Sequence, residues 1–331
     1  YSNILNQIIG ETILKESAFK NEQLDLSNVE IEITKMVNHS VLNHLFMLAN
    51  SQKTHEEVKA RTHSTLKQLK KQLDYLGFGV SDDIVHPYYR SDITGQTVVD
   101  MIRAAKELAR IEGYNFNGDV FLSGYSEGGF ATMSTHHNME QNSYKGLNLI
   151  ASAPASGGYD ITGMLDYFLS KETYHVPYYI AYVAIGYKTS YDWDLPLSAM
   201  FNEPYSDLIP SYFNGKYSGY EINSVLTDDL SLLLTSNFRN NIYSDPDLKV
   251  IVDAFEENSL DNWIPKKKML MYHGTADITV PYQNSVDTYN NFISLGADKS
   301  KIEFIQLQGE NHSSGSIPYI IDLFDRFNEL K

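Results

Sequence analysis

A mixed α/β architecture, with a mostly parallel central sheet flanked by helices and interrupted by a helical insertion, is what this sequence of 331 residues predicts. Three observations carry the prediction. Over residues 73–153, and again over 261–331, short apolar runs alternate with amphipathic helical stretches, the pattern of a parallel sheet covered on both faces. Over residues 158–260 that alternation stops, and a segment rich in Tyr, Asn, Asp and Leu shows helical stretches without a regular strand. With 42% hydrophobic and 21% charged residues, the chain can bury one large core or two modest ones. The expected organisation is an N-terminal extension and first part of the core over 1–157, a helical cap over 158–260, and the second part of the core over 261–331.

Residues 1–73 read as helix, strand and helix. Ile4, Leu5, Ile8, Ile9 and Ile13 recur at helical spacing, while Val29, Ile31 and Ile33 alternate with Glu30 and Glu32 at period two. Residues 41–48 are a candidate second strand, and the polar stretch 50–72 reads as an exposed helix or loop. After the turn-rich DYLGFGVSDD comes a helix over 93–111, with Val98, Val99, Ile102, Ala105, Leu108 and Ala109 as its apolar stripe. The strands 119–123 (DVFLS) and 147–153 bracket a helix in EGGFATMSTHHNM. Helices over 164–170 and 178–187 fall in the insertion. A strand over 268–273, a helix over 283–295, a strand over 302–307 and a closing helix over 317–330 complete the series.

Composition narrows the chemistry. Asp and Glu number 42 against 26 Lys and Arg, and the formal charge of −16 repels polyphosphate, so nucleic acid is not an expected partner. The absence of Cys removes disulfides, thiolate zinc sites and thiol nucleophiles, leaving Ser, His and carboxylates. No apolar run approaches the roughly 18 residues of a bilayer span, so no transmembrane segment is expected. The chain begins at Tyr1 without a basic and apolar leader, which reads as a processed or trimmed form.

The sharpest motif is Gly124-Tyr125-Ser126-Glu127-Gly128. A serine hydroxyl is a weak nucleophile, useful only when held exposed beside a base and above a place where negative charge is stabilised. A tight turn between the strand DVFLS and the following helix provides this, and Gly124 and Gly128 are expected to let the two elements approach around it. The backbone N–H of Glu127, opening the helix, is then an oxyanion donor. Asp277 follows the apolar run KMLMYHG on a turn, and His312 follows IEFIQL on a loop. Serine, acid and histidine in that chain order suit three residues at the carboxyl ends of parallel strands. His312 would take the proton of Ser126, and Asp277 would fix the tautomer of His312.

GYSEGGFATM, YHGTADITVPYQNS, GENHSSG and DYLGFGVSDDIVHPYYR together resemble the secretory-lipase-like group of α/β-hydrolases, serine esterases and lipases of bacteria and fungi. The resemblance runs from about Asp74 to the C-terminus. It implies the α/β-hydrolase fold, with Ser126 as nucleophile, Asp277 as acid, His312 as base and the Tyr-rich insertion as a lid over an acyl pocket. It also implies hydrolysis of a small-molecule or lipid carboxylic ester through an acyl-enzyme, with no cofactor and no metal. The N-terminal region is atypical. Relatives place a strand ending in a His-Gly-Thr turn, the second oxyanion donor, upstream of D-Y-x-G-x-G, whereas Thr62-His63-Ser64-Thr65 only approximates it. Either a segment is missing from this sequence, or the protein has lost part of its sheet and one donor, a loss of roughly 100- to 1000-fold in kcat.

Other residues read more plainly. His136 and His137 diverge on their helix and are expected at the surface or as caps rather than on metal. His273 is expected to hydrogen-bond backbone near the Asp277 turn, and Gly77-Phe78-Gly79 to form a loop rather than a dinucleotide fingerprint. Glu127 and Glu310 would tune local charge or face solvent, and Lys266, Lys267 and Lys268 would form a solvated strand entrance. Asp253 and Asp261 lack the preceding apolar strand that marks Asp277. Tyr174, Tyr178, Tyr179, Tyr182, Tyr187, Tyr191 and Trp193 of the insertion suit packing between helices and an acyl or aromatic pocket alike. Two other functions stay open: a serine peptidase with the same triad, and a catalytically silent binding protein. With no disulfides to form, a bacterial secreted or periplasmic setting is expected.

Overall fold

The computed structural model describes residues 75–78, 81, 83–111 and 113–330, apart from the side chains at 108 and 111. The elements expected over residues 1–73, the Thr62–Thr65 stretch, Asp74, Gly79 and the Leu108 side chain lie outside the described residues.

Among the described residues, four strands form one sheet: β1 (Asp119–Tyr125), β2 (Asn148–Ala155), β3 (Lys268–Gly274) and β4 (Ile302–Leu307), side by side in chain order and all parallel. Helix α1 (Ser91–Ile111) packs on α2 (Glu127–Gln141), which packs on β1 and β2. Between β2 and β3 lies the insertion, with α3 (Ile161–Leu169), α4 (Tyr178–Ser190), α5 (Tyr205–Tyr212), α6 (Gly219–Val225), α7 (Leu230–Leu233), α8 (Ser236–Asn241) and α9 (Lys249–Asn258). Helix α10 (Tyr282–Ser294) joins β3 to β4, and α11 (Ser316–Glu329) closes the chain.

Alternation along the strands sends side chains to two cores. Met269, Met271 and Ile302 face one apolar cluster, together with Phe130 and Met133 of α2. Leu270, Tyr272 and Leu307 face the other, against Tyr319, Leu323 and Phe327 of α11. β2 changes phase part-way along. Leu149 pairs with Val120 and Ala151 with Phe121, so Ile150 is an extra residue. That bulge turns Ala151, Ala153 and Ala155 to the α11 face, while Leu149 joins Ile102, Val120 and Leu122.

The insertion shares the first of these cores. Tyr159, Tyr187, Phe201, Ile209, Leu230, Leu233 and Ile251 are buried in the same cluster as Met269 and Phe130. Four of its helices are started by side chains. Asp160, Asp229 and Thr235 accept backbone N–H groups, and Ser218 with Glu221 forms a reciprocal capping box. Tyr187 also donates to the carbonyl of Tyr89 at 2.8 Å, tying α4 to the segment before α1.

Candidate active site

Ser126 stands between β1 and α2 with φ 59° and ψ −122°, a region a non-glycine residue occupies only when its surroundings enforce it. Its N–H donates to the carbonyl of Ala155 at 2.9 Å, pinning the turn to β2. Space enforces the rest. A Cβ on Gly124 would lie 2.1 Å from the Gly128 carbonyl oxygen and 2.8 Å from Thr132 Oγ1, so only glycine fits there. A Cβ on Gly128 itself would meet nothing within 4 Å. The second tight approach falls instead one residue later, at Gly129, where a Cβ would lie 2.2 Å from the Ala155 carbonyl oxygen. Gly128 contributes its carbonyl and Gly129 the close contact with β2. Tyr319 of α11 locks the far side, accepting the N–H of Gly124 at 3.0 Å and donating to Ala153 at 2.7 Å.

The structure brings Ser126, His312 and Asp277 together from the ends of three strands. His312 Nδ1 lies 2.7 Å from Asp277 Oδ2, and Nε2 lies 2.8 Å from Ser126 Oγ. An ionised Asp277 accepts the Nδ1 proton, which leaves Nε2 as the acceptor facing the serine hydroxyl. His312 and Asp277 are buried, while Ser126 is half-exposed. Asp277 Oδ1 also accepts the N–H groups of Thr279 and Val280, each at 3.0 Å. Burial opposes its charge, but the rings of His273 and His312 outweigh this and hold the carboxyl at about 2. The turn itself hangs on Glu310, whose carbonyl accepts the N–H of Ala276 at 2.9 Å.

His273 does bond backbone near this turn. Its Nε2 lies 2.9 Å from the Val280 carbonyl and 3.3 Å from Asp277 Oδ2, and its Nδ1 lies 2.6 Å from Ser285 Oγ. Asp253 pairs with Lys249 and Asp261 accepts from Asn291 at 2.7 Å, so both have partners elsewhere. Lys266 and Lys267 are exposed, as expected, though their backbone N–H groups serve Glu140. Gly77 sits in a turn rather than a phosphate loop, with φ 94° and its Cα against His86, where a Cβ would come within 2.5 Å.

One further expectation needs correction. His136 is wholly buried rather than a surface or capping residue: its Nδ1 lies 2.6 Å from Ser152 Oγ and its Nε2 2.9 Å from Glu140. Burial lowers its pKa, so it serves as a neutral link from α2 to β2. Glu127, expected to tune local charge or face solvent, pairs with a histidine. Its Oε1 lies 2.6 Å from Nε2 of the buried His86, whose Nδ1 lies 2.6 Å from the carbonyl of Leu76. The sequence carries one signal for His86, its place in DYLGFGVSDDIVHPYYR, one of the four stretches that carry the resemblance. The backbone N–H of Glu127 opens α2, at the positive end of the helix dipole.

No family model and no curated protein matches the chain. Solved structures do. A single-substitution variant of the rice cell wall degrading esterase LipA from Xanthomonas oryzae is 23% identical with a TM-score of 0.68, over 78% of this chain and 70% of that one. A provisionally assigned hydrolase of Legionella pneumophila is 26% identical with a TM-score of 0.70, over 78% and 68%. Lipase A of Candida antarctica in its closed state is 16% identical with a TM-score of 0.57, over 74% and 56%. The chain has the α/β-hydrolase fold.

Proposed function

We propose that the protein hydrolyses carboxylic esters through a seryl acyl-enzyme, with Ser126 as nucleophile, His312 as general base and acid, and Asp277 as the group that orients and charges-balances His312. The observation that carries this reading is the continuous chain Asp277–His312–Ser126, with contacts of 2.7 and 2.8 Å, ending on a serine in a strained and accessible turn. His312 takes the hydroxyl proton as Ser126 attacks the ester carbonyl. The oxyanion forms beside the N–H of Glu127, and the same histidine then protonates the leaving alcohol. Water repeats the sequence on the acyl-enzyme. None of these steps calls on a metal or an organic cofactor.

The likeness in fold to esterases and to a lipase supports the reaction class. The helical insertion is proposed as the lid of an acyl pocket, and export from the cell is proposed on the likeness to a cell wall degrading esterase. Among the described residues no helix is long and apolar enough to cross a membrane. Steady-state turnover of short p-nitrophenyl esters tests the proposal. Ser126→Ala is expected to lose about a millionfold in kcat, as for other serine hydrolases stripped of their nucleophile, and retained turnover would refute the assignment.

A further inference from the structure

The side chain of Glu127 is an electrostatic liability for this reaction. It belongs to the residue whose N–H is to receive the oxyanion, and a negative charge beside that position opposes the charge that develops in the transition state. The fold sets a buried imidazole against it. His86 reaches Glu127 Oε1 with Nε2 at 2.6 Å and the Leu76 carbonyl with Nδ1 at 2.6 Å. A carbonyl and a carboxylate both accept, and this pair of contacts suits a ring that carries a proton on each nitrogen. The remaining walls are aromatic: Phe78 at 4.9 Å, Tyr182 of α4 at 6.0 Å, and Tyr75 and Tyr88 each at 6.1 Å between ring centroids.

We propose that His86, as a buried imidazolium, is the positioning and charge-compensating residue of the oxyanion site: it anchors Glu127 at the start of α2 and cancels the carboxylate beside the developing oxyanion. The proposal rests on the ester-hydrolase reading of Ser126. Burial works against a charged ring, but the charge and hydrogen bond of Glu127 and the Leu76 carbonyl prevail, and the pKa of His86 is raised. Around the ring, Tyr75, Tyr88 and Tyr182 have pKa values raised mainly by burial and stay neutral, and Glu127 is the carboxylate that faces it. Loss of the His86 proton at alkaline pH therefore uncovers the carboxylate, and activity should fall there for a reason separate from the titration of His312.

Kinetics and pH profiles of the wild type, His86→Ala, His86→Gln, Glu127→Gln and the double variant His86→Ala/Glu127→Gln test this. His86→Ala should lower kcat about tenfold or more with little change in KM. Removing the carboxylate as well should restore most of that loss. His86→Gln, which keeps a hydrogen bond to Glu127 and not the charge, should fall between His86→Ala and the wild type. Glu127→Gln should lose the alkaline limb of kcat/KM and keep the acidic one. A double variant no faster than His86→Ala, or an unchanged alkaline limb in Glu127→Gln, would overturn the role of His86. The pH profile of Glu127→Gln decides alone should His86→Ala fail to fold. A wild type that neither turns over esters nor reacts at Ser126 would instead overturn the hydrolase reading beneath it.

Discussion

Four donors converge on Asp277: the Nδ1 of His312, the Nε2 of His273 and the N–H groups of Thr279 and Val280. The two rings hold this buried carboxyl at about 2, against the ordinary 3.8, so it stays ionised well into the acid range. Asp277→Asn is expected to keep the fold and lose roughly ten-thousandfold in kcat, because an amide cannot hold His312 in the tautomer that accepts from Ser126. The depressed pKa has a thermodynamic side. The stabilisation it represents is complete above the unfolded value of 3.8 and disappears as pH falls through the folded value of about 2. Urea unfolding followed downward from neutral pH should therefore show the wild type losing its advantage over Asp277→Asn in that acid window; a constant difference would contradict the linkage. Ser126, Asp277 and His312 were legible in the sequence because each follows an apolar strand and the chain order matches one side of a parallel sheet. His86 was not, because its partner lies 41 residues away and only packing of the 75–90 segment onto α2 unites them.

At the scale of elements, the turn at Ser126 is held by what its neighbours lack. Gly124→Ala should cost about 1–3 kcal/mol or more, since the clash is with the backbone carbonyl of Gly128 rather than with a side chain that can swing away. Gly129→Ala, against the Ala155 carbonyl, should behave alike, whereas Gly128→Ala has open space and should be tolerated; thermal melts of the three variants separate them. The close contact at Gly129 rather than Gly128 was invisible in the motif, because it depends on how β2 runs past α2. The four strands were legible from apolar runs, although β1 and β2 each continue two residues beyond the expected end. Those added residues are glycine and tyrosine in β1, and proline and alanine in β2, which do not extend an obvious apolar alternation. The insertion announced itself as helical, yet most of its helices are too short for periodicity to mark. What defines the three shortest locally is a capping side chain, at Ser218, Asp229 and Thr235.

Across the whole molecule, the insertion and the sheet share one apolar cluster, from Met269 and Met271 through Phe130 and Tyr159 to Phe201 and Ile251. An insertion built this way has its base embedded in the core, and the two parts should unfold together. Calorimetry is expected to show a single transition, and two resolved transitions would contradict a shared core. Acidity and the absence of Cys are consistent with this chemistry, since a neutral ester needs no basic surface and the serine chain needs no thiol. The central claim is that Ser126 is acylated during turnover. Reaction with a fluorophosphonate, followed by proteolysis and mass spectrometry, tests it most directly. One adduct on the peptide bearing Ser126, absent from Ser126→Ala and slowed in Asp277→Asn, is the predicted result; an unlabelled wild type, or an adduct on another residue, would contradict it.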